Sequence, residues 1–326
     1  MPYKETVNEL INNGIGAKEG RFFAYDLEPL AHLYNSFWEA GQDFLGSDDL
    51  KTFFEFPILY YCDNPTVNAG AYLEGKYALI VVFAGLIERA NSLYEGEKSA
   101  FNDDQFKDYI DVSQRFRIAQ DRFLFEIIAS FIIYHETGHL IQRSGNDVSY
   151  FEFMVDNCKQ RVEERHVKEF DADWFASNRL AMQIMGLVTS FYGEYNSGEK
   201  VEFLHKMAEL ALSAVYVFIV DLAEGEPKLY FEENCHPHPA VRLTYIVFYV
   251  VDTIRFLAPI QLDQERIIRN AIMISMELTK ASDPSPVEVW SKTIFEQSKE
   301  IDDYIKKIIE DCKRYPECCR NKLNTE

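Results

Sequence analysis

Residues 121–143 read Asp-Arg-Phe-Leu-Phe-Glu-Ile-Ile-Ala-Ser-Phe-Ile-Ile-Tyr-His-Glu-Thr-Gly-His-Leu-Ile-Gln-Arg. The apolar pattern predicts a helix over about 120–143. Near its end stands His135-Glu136-Thr137-Gly138-His139. Residues four apart share one helix face, so His135 and His139 can offer imidazole nitrogens to a single ion. Glu136 lies one position further round, placed to reach a metal-bound water instead of the metal. The competing reading is a pair of capping or core histidines at a helix end.

A catalytic zinc needs a third protein ligand and an open position. Glu169-Phe170-Asp171-Ala172-Asp173 begins thirty residues after His139, inside a second amphipathic segment. Glu169 and Asp173 share a face. Glu169 is expected to ligate, and Asp173 to accept a hydrogen bond from the back nitrogen of a ligand imidazole, His135 first. His166, three residues before Glu169, is the rival ligand, with a surface or capping role as its plainer reading. The bland alternative for the whole segment is a charged helix face, since Glu163, Glu164 and Lys168 are close by.

Outward from these two segments the chain is mostly helical. Apolar residues recur at three and four over 27–45, and similar patterns run through about 104–118, 162–186, 200–223, 239–258, 262–281 and 286–313. Only one region reads as β: the aromatic run 56–62, then 68–73, a turn at Glu74-Gly75-Lys76, and 77–83, the last two forming a hairpin. The fold class is therefore mainly α with a small β element. No linker divides the chain, so 1–326 is taken as one domain.

The sequence of 326 residues is 47% apolar and 26% charged, the balance of an ordinary globular chain. Thirty-three basic against 53 acidic residues give a net charge of −20, which argues against nucleic acid and anionic membrane as partners. The N-terminus has no apolar signal segment. The stretches 204–223 and 243–260 are apolar but carry Glu209, Asp221, Asp252 and Arg255, so both are read as core helices and not spans. A cytoplasmic protein without a membrane span is expected, of open oligomeric state. The cysteines form no C-x-x-C pair. Cys312, Cys318 and Cys319 are read as reduced surface thiols in preference to a metal site, because no histidine joins them.

These motifs resemble the gluzincin metallopeptidases, in particular metallopeptidase family forty-eight, whose members include the heat-shock protease HtpX and the CAAX-prenyl endopeptidases. Asn68-Ala69, Gly75, the apolar run Tyr77–Phe83 and Gly85-Leu86-Ile87 are similar to that family's Asn-Ala, glycine turn, strand and Gly-Leu-Leu pattern. Cys235-His236-Pro237-His238-Pro239-Ala240-Val241-Arg242-Leu243 resembles its His-Pro-Pro-x-x-x-Arg-Ile motif, with His238 where the second proline stands. The likeness covers a core of 60–255 and leaves helical extensions over 1–55 and 260–326. It implies a zincin-like fold and one Zn2+ per chain on His135, His139 and Glu169. It also implies hydrolysis of a protein or peptide substrate, with Glu136 as general base.

Other roles follow from the same likeness. His236 and Arg242 match as catalytic residues, one of them facing the reacting carbonyl oxygen, with Arg242 favoured to orient His236 or a carboxylate. Asn68, Ala69, Tyr77, Ala78, Leu79 and Ile80 match the substrate strand, and the peptide is expected to pair along Tyr77–Val82. Pro239 suits a helix start, with His238 as a surface histidine of that helix-start signature. The ImmA-like regulatory peptidases, a gluzincin acting on a non-peptide amide, and a non-catalytic zinc-stapled protein remain the alternatives.

Overall fold

The computed structural model describes residues 2–17, 20–94, 106–144, 162–192, 198–222, 228–234, 236–258, 262–279 and 286–323. Cys158, Cys235 and most of the predicted loop at 192–200 lie outside the described residues.

The fold is mainly helical with one three-stranded sheet. Helices α1 (Tyr3–Asn12) and α2 (Ala31–Leu45) precede β1 (Phe56–Cys62), β2 (Ala69–Glu74) and β3 (Tyr77–Phe83). Gly75, at φ 59°, takes the first central position of the two-residue turn that joins β2 to β3. A side chain there would be strained, so the turn needs glycine.

The strand order is β1-β3-β2. β3 pairs parallel with β1 and antiparallel with β2, so it is internal and every residue in it is buried. This corrects the expected substrate strand. The backbone of Tyr77, Ala78, Leu79 and Ile80 is engaged on both sides and has no edge to offer. β1 is covered as well: Cys62 bridges Phe22, and the Phe23 N–H donates to the Tyr61 carbonyl at 3.0 Å. The outer edge of the sheet is β2, the strand that starts after Asn68 and includes Ala69. The Glu74–Tyr77 pairing turns the N–H groups of Ala71 and Leu73 away from β3.

After β3 come α3 (Ala84–Tyr94), α4 (Lys107–Arg115) and α5 (Gln120–Arg143). α5 carries the HExxH segment and packs against β2, α3, α6 (Val162–Tyr192) and α7 (Gly198–Leu222). Its apolar residues are buried on all sides from Phe123 to Ile133, as expected of a central helix. α8 (Pro239–Leu257) lies on α6, and α9 (Gln264–Leu278) on α7. The predicted helix over 286–313 is two, α10 (Pro286–Glu296) and α11 (Ser298–Cys312), because Gln297 leaves helical geometry at φ −117°, ψ 24°. A short α12 (Cys319–Leu323) closes the described chain. One connected set of buried apolar side chains runs from Tyr3 to Cys319.

α7 is long and apolar enough to cross a membrane, but its most apolar window is 94% buried inside this fold. Its buried Glu209 accepts hydrogen bonds from Tyr109 at 2.6 Å and from Arg266 and Asn270 at 3.1 Å. The charge that argued against a span in the sequence is thus satisfied between α4, α7 and α9.

Candidate metal centre

α5 and α6 meet where Gly138 faces Ala172. A Cβ added at Gly138 would lie 2.9 Å from the Ala172 Cα, closer than real Cβ contacts come. The glycine inside the HExxH segment lets the two backbones approach, and so brings Glu169 across from the histidines. His135 and His139 are one turn apart with rings nearly perpendicular, at 89°. Their Nε2 atoms are 3.1 Å apart. The Glu169 oxygens lie 3.6 Å from His135 Nε2 and 3.4 Å from His139 Nε2.

The far sides of both rings are held. His135 Nδ1 lies 2.8 Å from Asp173 Oδ1. An ionised carboxylate only accepts, so Nδ1 carries the proton. Asp173 is fully buried and receives two bonds of 2.8 Å from the Arg242 guanidinium and one of 2.7 Å from the Tyr245 hydroxyl. His139 Nδ1 lies 3.0 Å from Gln142 Oε1. The Gln142 amide nitrogen donates to the Lys168 carbonyl and to Asp171, which fixes its oxygen as the acceptor toward His139. With the imidazoles neutral, both Nε2 lone pairs and the Glu169 carboxylate converge without a donor among them. A cation satisfies such a set, as would a proton or the hydrogens of a water, and two imidazoles with a carboxylate are ligands that suit zinc.

Electrostatics follow this geometry. Burial opposes charge on Glu169, but His236 and then His139 outweigh it and hold the carboxyl well below the usual range. Burial likewise opposes charge on Asp173, yet Arg242 and His135 bring its pKa down to about 2. Against the pull of burial, Glu169 and then Glu136 raise the pKa of His139. Glu169 does the same for His236.

The structure brings His135, His139, Glu169 and Asp173 together as their spacing suggests. Glu136 is buried on α5 beside them. His236 reaches the same cluster, its Nδ1 3.4 Å from Glu169 Oε2, while most of its side chain is exposed. Arg242, grouped with the catalytic residues but favoured to orient His236 or a carboxylate, has its guanidinium committed to the carboxylate of Asp173. His238 is buried, not at the surface: it caps α8 by accepting from the Ala240 N–H at 3.0 Å and packs on Trp290. His166, the rival ligand, is buried outside the cluster, with its two ring nitrogens 2.6 Å from the Tyr304 hydroxyl and 2.8 Å from the Asn234 carbonyl. Burial pushes its pKa down. Cys312, Cys318 and Cys319 are buried, which overturns their reading as surface thiols.

Gln142 and Tyr245 escaped the sequence reading. Each had a local signal: Gln142 stands three residues after His139, and Tyr245 three after Arg242, one helical turn from a recognised residue. No family model, curated protein or solved structure matches this chain.

Proposed function

We propose that this chain is a zinc-dependent metallopeptidase of gluzincin type, acting on a protein or peptide. The observation that carries the reading is the convergence of three acceptor groups, His135, His139 and Glu169, with both imidazoles proton-locked from behind. When bound, zinc supplies a Lewis acid that polarises a carbonyl and acidifies water. Glu136 takes the proton of the attacking water and passes it to the leaving amine. Its presence favours catalysis over a structural site, which has no need of a carboxylate beside its ligands. His236, on the open side of Glu169, donates to the negative charge that develops on the scissile oxygen. Asp173, gripped by Arg242 and Tyr245, keeps His135 in orientation, and Gln142 does so for His139. The peptide adds as a strand to the outer edge of β2, pairing with Ala71 and Leu73 in place of the internal β3.

The test is metal content of the purified chain together with cleavage of a mixed peptide library, with and without chelator. Chelator-sensitive cleavage restored by zinc is expected. A metal-loaded chain that cleaves no peptide in the library sinks the peptidase reading.

A further inference from the structure

Beyond Gln142, the residue behind His139, lies a second group of potential ligands. Asp171, Cys312 and Cys318 each offer one atom, and the three lie within 4.8 Å of one another. All three residues are buried, Asp171 and Cys318 completely. They come from three separate places: the first third of α6, the last residue of α11, and the turn before α12. We propose that Asp171, Cys312 and Cys318 form a second metal site, for a thiophilic divalent cation of the zinc type, that fastens the C-terminal segment to the helices of the metal centre.

Three observations carry this. The first is spacing. Zn–S and Zn–O bonds of about 2.3 and 2.1 Å place tetrahedral donors about 3.3–3.8 Å apart. Cys312 Sγ lies 4.0 Å from Asp171 Oδ1, so small side-chain shifts close the set on an ion.

The second is the state of the carboxylate. Oδ2 is taken by the Gln142 amide at 2.9 Å and the Cys319 N–H at 2.6 Å. Oδ1 accepts from the Arg320 N–H at 3.2 Å, has the Cys312 thiol at 4.0 Å, and faces the sulfurs; the Cys319 thiol also interacts with this carboxylate. The donors on this buried carboxylate are all neutral, whereas buried charges are ordinarily paired or bound to metal.

The third is charge balance. One carboxylate, two thiolates and a divalent ion sum to −1. Burial lowers the pKa of Lys322, while Cys319, Glu317, Asp171 and Cys318 favour its charged form, so its ammonium offsets part of that negative charge. Lys322 is itself anchored on the carbonyls of Ile141, at 2.6 Å, and Gln142, at 3.2 Å. Cys319 adds a contact from its thiol to the Gly138 carbonyl at 3.2 Å, inside the HExxH segment. Asn321 holds the loop between the two proposed thiol ligands, donating to the Cys312 and Tyr315 carbonyls at 3.1 and 2.7 Å.

The experiment is cobalt titration of the full-length chain under a phosphine reductant, so that every thiol starts reduced. Thiolate-to-cobalt charge transfer absorbs in the near ultraviolet, and a His/His/Glu site has no thiolate to produce it. The band is expected in the native chain and, undiminished, in the His135→Ala/His139→Ala variant. It should vanish in Cys312→Ser/Cys318→Ser, with bound zinc falling from two equivalents to one. Absence of the band from the native, folded chain at saturating cobalt overturns the proposal, and this arm needs no variant. So does a band that survives intact in the double-serine variant, since other cysteines then supply it. Because the histidine variant removes the first site, failure of the peptidase reading and failure of this one are separable.

Discussion

Asp173 and Glu209 are both fully buried carboxylates, and each is met by an arginine and a tyrosine hydroxyl. They differ in the remaining partner. Glu209 takes the Asn270 amide, and its network stays between α4, α7 and α9, where Arg266 also donates to Glu202 at 2.6 and 2.7 Å. Asp173 takes the back nitrogen of His135, whose other nitrogen points into an open cluster of acceptors. One carboxylate holds helices together. The other holds a lone pair in position, which is what a metal ligand requires. A buried carboxylate with its arginine is therefore no mark of function until the last hydrogen bond is followed to its end.

Turnover should separate the two regions most sharply. Glu136→Gln is nearly isosteric but cannot accept a proton at neutral pH, so kcat should fall by about 10²–10⁴ while zinc stays bound. Glu209→Gln should leave kcat unchanged. Measuring zinc stoichiometry and turnover on the same samples decides, and near-normal turnover of the Glu136 variant would remove the base from the mechanism.

His236→Ala comes next. It should lower kcat by about 10²–10³ with KM and zinc content little changed, the pattern of a contact made only in the transition state. His238→Ala should affect melting temperature instead, because it removes the cap of α8. A larger kcat effect at His238 than at His236 would break this assignment.

The paired carboxylate substitutions test the comparison directly. Asp173→Asn should weaken zinc binding about 10–100-fold, the usual cost of losing the partner behind a ligand imidazole. Glu209→Gln should cost about 1–3 kcal/mol of stability and leave metal affinity alone. Competition with a chromophoric chelator reads the first quantity and denaturant unfolding the second. Equal metal affinities in the two variants would erase the distinction drawn above.

The smallest effect is in acid, on the metal-free chain. Asp173 titrates at about 2 when folded, below its ordinary value of 3.8. A depressed carboxyl stabilises the fold above its unfolded pKa, and that contribution is lost as pH falls through about 4 toward 2. It amounts to about 2 kcal/mol. Asp173→Asn should flatten the stability profile over that window, and an unchanged slope would show that Arg242 and His135 do not hold the charge as the geometry implies.

What was legible in the sequence was local. The boundaries of α5 are those of the predicted 120–143, because a long apolar run fixes its own extent. Residues four apart share a helix face wherever the helix lies, so His135 with His139, and Glu169 with Asp173, could be paired before the fold was seen. The β region was legible as strands for the same reason, since short apolar and aromatic runs and a glycine turn are properties of neighbouring residues.

Contacts between distant parts of the chain were decided only by the tertiary structure. Strand order belongs to this class: nothing within Tyr77–Phe83 says whether it lies at an edge or between two partners, and the internal position of β3 moved the open edge to β2. Arg242 meets Asp173 because α8 lies on α6, a packing that no spacing encodes. The three C-terminal cysteines read as surface thiols because the residue that joins them is neither a neighbour nor a histidine. It is Asp171, at least 141 positions away, brought there when the chain end folds back over α6 and the end of α5. Helical periodicity specifies which side chains share a face; which face meets which is set by the packing of the whole core.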